Sequence, residues 1–447
     1  MAGRIHSAHA VSKGDKVLVR CEQSVEYLLI YLACNLLGAV FIPVEKNASA
    51  QRLREIAADT DCKLCITPGS EPDCPIAVTT YAELFAGEAE PAEFPFNKSG
   101  DISEILFTTG TTGKSKGIVL TNAANLAVAD NIRYGVAMKK NNVELIPLAM
   151  SHSHGLRTFY ASLLNGSAVV ITNGVMNVKQ IFTLMEQYKV TALDLSPSAA
   201  EILIKLAKGV FWEKSKNLDY IEIGTAALSE ALKDQLVENL PGVHLYNFYG
   251  STESGRTCVL DFSAAKNKKK CIGKPSVNAE LVFTDDRRVP VNATPEAPGL
   301  LASRGPMNMT CYWDNPELTG EILVNGFVCT NDIGYFDEEG YAYVVGRRDD
   351  VINCNGIKIS PTEIEDIVIT YPAVSETALV GKPDPIAGQI PKLYIVVKDP
   401  ASFNPEDFWS FLSNRLDKTK MPKSFEIIDE LPRTYNGKLN RKELELL

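Results

Sequence analysis

The eleven residues from Phe107 to Gly117, Phe-Thr-Thr-Gly-Thr-Thr-Gly-Lys-Ser-Lys-Gly, concentrate three glycines, four threonines and two lysines. Glycine lets backbone N–H groups approach an anion, hydroxyls add donors, and lysine supplies point charge, so the stretch reads as a cradle for a polyphosphate. Gly113-Lys114-Ser115 ends like a Walker A loop. That motif, however, needs glycine where Thr108 stands and a helix where Ile118-Val-Leu120 reads as a strand, which argues against a P-loop kinase or GTPase. Glu104-Ile-Leu-Phe107 reads as a buried strand end, so the cradle is expected to join two strands. A Gly/Thr-rich surface loop without a ligand is the bland alternative.

Other groups of residues could complete a nucleotide site. Phe248-Tyr-Gly-Ser-Thr-Glu253 follows a strand-like Val243–Asn247 and would set a tyrosine, a hydroxyl and a carboxylate on one turn at a strand end. Tyrosine can stack on a purine, threonine can bond an anionic oxygen, and glutamate can hold Mg²⁺, although an ordinary turn can have the same composition. Thr330–Asp337 and Gly340–Arg347 predict a hairpin carrying Asp332 and Arg347, suited either to ribose and phosphate oxygens or to a surface ion pair. Lys438, on the Asn436-Gly437 turn, reads alone as a solvent-exposed turn residue. His152 and His154 supply too few ligands to predict a metal site.

These residues need elements to place them. A chain of 447 residues exceeds one ordinary core, so two or three domains are expected. The net charge of −10 disfavours nucleic acid or an anionic membrane as partner, and any phosphate site must be a local positive pocket. Residues 27–44 are apolar enough to suggest a membrane span, but Asn35 interrupts them and Gly38 is suited to cap a helix. Val40-Phe41-Ile42 then reads as a strand closed by Pro43. Arg52–Ala58 reads as a helix and Lys63–Thr67 as a strand, the alternation of an α/β protein with largely buried strands. About residues 262–345 the chain turns polar and strand-rich, and after Gly346–Asp350 it becomes a compact α+β pattern, with helices opening at Pro361 and Pro405. The N-terminus lacks a signal-peptide pattern, and ten scattered cysteines predict reduced core thiols and a cytoplasmic protein.

Taken in order and approximate spacing, the cradle, the Tyr249–Glu253 turn, the Asp332 and Arg347 hairpin and the Lys438 turn resemble the ANL superfamily of adenylate-forming enzymes. Softer matches lie at Pro147–His152, Ile272–Pro275, Arg304–Pro306, Gly356–Pro361 and Val380–Asp384. The resemblance runs over about residues 14 to 445. It implies an α/β fold with two α/β sheets and a β-rich subdomain in a large N-terminal domain, residues 1–348, followed by a small mobile α+β lid, residues 349–447, hinged at Asp349. The family's usual first helix and strands ahead of Lys13-Gly-Asp15 are not matched. Ser115 and Asn331 stand where the family often has proline and glycine, leaving the ligand positions intact.

By that resemblance, Thr108, Thr109, Gly110, Thr111, Thr112, Gly113 and Lys116 would hold the β- and γ-phosphates of ATP. Tyr249 and Gly250 would meet adenine, with Gly224, Thr225 and Ala226 on the other side. Thr252 would contact the α-phosphate, Glu253 the Mg²⁺, and Asp332 and Arg347 the ribose. Lys438 would neutralise charge as a carboxylate attacks the α-phosphorus, His152 would gate the acyl pocket, and the loop Asn353–Gly356 would line the path of a pantetheine thiol. The implied reaction is an AMP-forming acyl-CoA synthetase of the kind found in fatty acid metabolism, using ATP, Mg²⁺ and coenzyme A. A carrier protein's phosphopantetheine would use the same tunnel, and a non-catalytic nucleotide-binding homologue is the third reading. Leu148–Gly155 carries no carboxylate to bind an α-amine, so an acyl or aryl acid is favoured over an amino acid.

Overall fold

The computed structural model describes the whole chain except residues 70–74, 87–92, 95, 109–115 and 434–438. Packing divides it into two compact units, Met1–Leu281 with Ala302–Cys329, and Val282–Leu301 with Thr330–Leu447. The expected domain boundary at Arg348–Asp350, a short 3₁₀ turn, lies within the second unit.

In the first unit, one sheet runs in the order Cys311–Tyr312, Lys116–Thr121, Ile102–Thr108, Val40–Val44, Lys16–Arg20, Leu64–Thr67 and Ala77–Thr80. The apolar segment expected to be a helix and a strand is both. The helix Val25–Leu37 starts where the Ser24 hydroxyl accepts from Tyr27 N–H and ends at Gly38, whose φ of 68° few other residues adopt. Tyr27 and Tyr31 pack edge-on against Phe41 of the strand Val40–Val44, every residue of which is buried. That strand runs one residue past Pro43, where the sequence reading stops it. Proline is tolerated because the ladder toward Ile102–Thr108 pairs only Phe41 with Glu104.

A second run of strands in this unit follows the order Cys271–Pro275, Gly255–Asp261, His244–Ser251, Tyr220–Ile223, Ala192–Leu195, Val143–Ile146 and Ala168–Ile171. Its central strands are parallel and apolar, but their buried faces also carry Glu144, Asp194 and Glu222. Arg256 sits among these carboxylates, ion-paired with Glu222 and donating to Thr158 Oγ1 at 3.1 Å. His154 Nε2 lies 2.6 Å from Asp194 Oδ1, and Tyr220 donates to Glu144. Arg157, on the helix Ser153–Asn165, pairs with Glu104 of the first sheet at 2.9 Å, both side chains being almost wholly buried. Removing one member of such a pair strands a charge and costs about 3–5 kcal/mol.

The hairpin of Phe327–Phe336 and Ala342–Arg347, which belongs to the second unit from Thr330 onward, sets Asp332 directly opposite Arg347. A further sheet follows the order Ile357–Ile359, Ile352–Cys354, Gly388–Val397 and Val374–Asp384, with Ser424–Ile427 alongside Gly388–Val397. The helices Pro361–Val368 and Pro405–Ser413 both open on proline, as the sequence predicts, and bury Ile364, Val368, Phe408 and Leu412 in one apolar core. Proline suits the first helical turn because that N–H has no partner to lose.

Burial raises Glu144 from an ordinary carboxylate value to about 8, with neighbouring Asp194 adding to the effect. A carboxyl whose folded pKa is raised stabilises fully below its unfolded value and loses that contribution as pH rises through the folded one. The urea midpoint of Glu144→Gln, which cannot ionise, should therefore gain on the parent between about pH 5 and pH 8 and run parallel above it. A gap independent of pH across that window would contradict the buried titration.

Candidate functional site

The cradle's flanks are built as the sequence predicts. Ile102–Thr108 and Lys116–Thr121 pair antiparallel as far as Thr108 opposite Lys116, both half-buried. Thr109, Gly110, Thr111, Thr112 and Gly113 lie outside the described residues, as does Lys438. At the closing end, a Cβ on Gly117 would come within 3.0 Å of Ile105, Phe107 and Trp313, so this strand position has no room for a larger residue without a shift. Lys116 Nζ stands 5.7 Å from the centre of the Tyr312 ring.

The Tyr-Gly-Ser-Thr-Glu segment differs from the expected turn. Phe248, Tyr249, Gly250 and Ser251 are still strand, paired with Gly255–Asp261 and offset by an irregularity between Tyr249 and Gly250. A Cβ on Gly250 would fall 1.9 Å from Gly255 O, so glycine is what lets the two strands close to their tip. Only residues 252–254 form the turn, where Ser254 N–H donates to Ser251 Oγ at 3.1 Å. The Thr252 and Ser153 hydroxyls are 3.2 Å apart, and Glu253 Oε1 accepts from Tyr312 Oη at 2.8 Å. Burial, and then the Glu253 carboxylate, push the Tyr312 phenol well above its ordinary range, so it stays a neutral donor. Glu253 is thus linked through Tyr312 to the closing end of the cradle, where Lys116 stands.

Gly224, Thr225 and Ala226 follow the strand Tyr220–Ile223, which is parallel to His244–Ser251 with Ile223 opposite Asn247. The Phe248 ring lies where a side chain at Gly224 would go, 2.0 Å from the ideal Cβ position. Thr225 has φ 79°, a strained conformation for a β-branched residue, and its side chain is exposed. Behind Phe248 the Arg256 guanidinium stacks at 3.6 Å and His154 meets the ring edge-on at 4.7 Å. The two histidines therefore separate: His154 is buried on Asp194, while His152 is half-buried as the residue capping the helix Ser153–Asn165.

The remaining predicted residues belong to the second unit. Asp332 Oδ1 and Arg347 Nη1 are 3.5 Å apart, Arg347 being 54% exposed, and Asp349 accepts from Asn331 Nδ2 at 2.8 Å. Gly356 sits at a tight turn, with Asn355 at φ 53° and Gly356 at φ 80°. The expected loop Asn353–Gly356 is shorter than predicted. Asn353 and Cys354 are strand, and Cys354 is buried in the core, while Asn353, Asn355 and Gly356 are exposed.

Sequence reading overlooked Tyr312, Ser153 and the set of Asp194, Glu222 and Arg256. Tyr312 follows the weakly matched Arg304–Pro306, and nothing local distinguishes it from an ordinary strand aromatic. Its role comes from pairing with Ile118, which carries it to Glu253. A half-buried glutamate beside a threonine hydroxyl offers the hard oxygen donors that Mg²⁺ takes, usually together with substrate phosphates. Among the described residues, no group of three or more His, Cys, Asp or Glu side chains could hold a metal, so an ion at Glu253 would draw its other ligands from a nucleotide and water. No described helix is long and apolar enough to cross a membrane.

The chain was compared with known proteins. A family profile described as AMP-binding enzyme matches residues 1–313, and one described as AMP-binding enzyme C-terminal domain matches residues 363–438. The chain is 28% identical over 446 residues to a 2-succinylbenzoate–CoA ligase of Bacillus cereus, covering 99% of this chain and 90% of the relative. It is 26% identical over 475 residues to 4-coumarate–CoA ligase-like 6 of Arabidopsis thaliana, covering 100% of this chain and 83% of the relative. Among solved structures, o-succinylbenzoate CoA synthetase of Bacillus subtilis in complex with its acyl-adenylate OSB-AMP superposes with a TM-score of 0.88 at 25% identity, over 99% of this chain and 90% of that one. ATP-bound MatB of Rhodopseudomonas palustris gives a TM-score of 0.92 at 24% identity, a likeness of fold, over 100% and 91% of the two chains.

Tyr312→Phe removes the hydroxyl that fixes Glu253 and little else. Calorimetric titration should show ATP affinity in the presence of Mg²⁺ falling by up to about tenfold, as expected for losing a hydrogen bond to a charged group, while affinity measured with EDTA is unchanged. Equal losses with and without the ion would show that Tyr312 acts on the fold instead.

Proposed function

Because the chain belongs to the AMP-binding enzyme family, we propose that it activates a carboxylic acid as its acyl-adenylate and passes the acyl group to the thiol of coenzyme A. The observation that supports this reading most is the placement of Glu253. Tyr312 holds its carboxylate beside the threonine turn, and the Tyr312 ring also meets the lysine that closes the cradle.

In the first step a carboxylate oxygen of the acid attacks the α-phosphorus of ATP, and the bond to the β,γ-diphosphate breaks to release pyrophosphate. A carboxylate is already ionised and needs no general base, so the protein's work is to position the reactants and to stabilise phosphoryl charge. Thr108, Thr109, Thr111, Thr112 and Lys116, with Gly110 and Gly113, hold the leaving phosphates, and Tyr249, Gly250 and Gly224–Ala226 flank adenine. Thr252 bonds the α-phosphate, and Asp332 and Arg347 take the ribose. Glu253 would hold Mg²⁺, which when bound offsets charge on the phosphates. Lys438 neutralises the converging carboxylate and α-phosphate oxygens. In the second step the CoA thiol, its proton lost to solvent, attacks the acyl carbon and AMP departs. The segment 349–447 moves as the lid about Asp349, Gly356 lines the thiol's approach, and His152 gates the acyl pocket.

An acyl or aryl acid suits the pocket better than an amino acid. Asp194 does lie beneath Leu148–Gly155, but its carboxylate is fully buried and bonded to His154, so it offers no site for an ammonium group. The free cysteines among the described residues are buried or half-buried and suit a reducing cytoplasmic compartment.

A panel of carboxylic acids incubated with ATP, Mg²⁺ and CoA should yield AMP and an acyl-CoA detectable by mass spectrometry for at least one acid. Lys438→Ala should lower the adenylation rate by about a hundredfold or more while leaving the ATP dissociation constant within about twofold. A Lys438→Ala protein that makes acyl-CoA at the parent rate would remove the lysine from the mechanism. ATP binding without any acid-dependent product would favour a nucleotide-binding module.

A further inference from the structure

Arg441, at the start of the helix Arg441–Leu446, is one of the most heavily bonded cations among the described residues of the second unit. Its Nη1 and Nη2 bond Glu365 Oε1 and Oε2 at 2.6 and 2.8 Å, a two-point grip on the helix Pro361–Val368. Nη1 also donates to Leu379 O at 2.9 Å, and Nε faces Asp350 Oδ2 of the segment Arg348–Asp350 at 3.5 Å. The side chain is 16% exposed, so these bonds are shielded in a way that surface pairs are not. Glu365 is itself fixed, because its Oε1 accepts from Leu379 N–H at 2.6 Å.

The same residue directly follows a segment that is joined on both sides of Lys438. Asn440 N–H donates to Pro432 O at 2.8 Å, Arg433 and Leu439 form a β-bridge, and Arg433 pairs with Glu376 at 2.6 Å. The chain on both sides of residues 434–438 is therefore gathered at Pro432–Arg433 and Leu439–Asn440, and Arg441 follows at once. Lys382 completes the anchorage by donating to Leu444 O and Glu445 O at 2.9 and 2.8 Å.

We propose that Arg441 is a positioning residue that ties the residues flanking Lys438, Pro432–Arg433 and Leu439–Asn440, to the segment Arg348–Asp350, so that one guanidinium sets the lysine's two flanks and that segment together. The proposal rests on the role given above to Lys438. A bidentate guanidinium has a fixed plane, and rotating the chain about Asp349 would carry Asp350, Arg441 and those flanks as one piece. Lysine at this position keeps the charge but can grip only one carboxylate oxygen at a time.

Arg441→Lys and Asp350→Asn separate this from a merely stabilising role. In Arg441→Lys, acid-dependent pyrophosphate release should fall by about tenfold or more in kcat, with the KM for ATP within about twofold of the parent. Thioester formation from a supplied acyl-adenylate and CoA should continue at the parent rate. Asp350→Asn, which leaves the Glu365 grip intact, should lower pyrophosphate release in the same selective way. Equal losses in both half-reactions, or parent-rate adenylation in either variant, would overturn the proposal. Hydrogen exchange gives a readout that needs no turnover: peptides covering residues 345–351 and 439–447 should lose protection together in Arg441→Lys, and loss confined to the second peptide would overturn the tie. A parent enzyme that releases no pyrophosphate with any acid would instead sink the functional reading, leaving the exchange result to decide the tie.

Discussion

A charged guanidinium enclosed beneath an aromatic ring governs the larger unit. Arg256 is buried among Glu222, Asp194 and Glu144, and burial lowers it only to about 10, so it remains a cation at neutral pH. Burial holds His154 below its ordinary range, as a neutral ring against Asp194, and lifts Glu144 towards its protonated form. Such a set is stable only when every member is in place, because an unpaired charge in a low-dielectric interior costs far more than a surface pair contributes. The strands that carry these groups are therefore held in one register.

The chemistry stands on that register. Arg256 belongs to the strand leaving the Thr252–Ser254 turn, and Phe248 to the strand entering it, so their stacking at 3.6 Å clamps both arms of the hairpin. Gly224 gives way to the Phe248 ring, and Thr225 beside it is held in a strained conformation. Strain persists where its surroundings over-determine it, and the neighbouring Gly224 is backed by the Phe248 ring, which Arg256 and His154 hold in turn. The Thr252–Ser254 turn and Gly224–Ala226 are in this way fixed at strand ends, the rigid placement that positioning catalysis requires.

Much of this was legible in residue types and order. The Gly/Thr/Lys composition of 107–117, the Tyr-Gly-Ser-Thr-Glu segment and the paired Asp332 and Arg347 pointed to a nucleotide, and Gly38, Pro361 and Pro405 marked real element ends. What escaped depends on pairing between distant segments. His154 meets Asp194 across 40 residues, and Tyr312 meets Glu253 across 59. The extra strand residues Phe248–Ser251 escaped for a similar reason. Their pairing is permitted by Gly250 closing on Gly255 and depends on a partner strand that local composition does not reveal.

Glu253, its carboxylate held by Tyr312, is the residue on which the proposed adenylation turns. If the α-phosphorus is the atom attacked, the first step must run backwards when pyrophosphate is supplied. Labelled pyrophosphate should therefore be incorporated into ATP in the presence of Mg²⁺ and a suitable carboxylic acid, with no CoA present, and Glu253→Ala should abolish the exchange. Exchange that proceeds without an acid, or turnover that yields ADP in place of AMP, would contradict adenylate formation at this site.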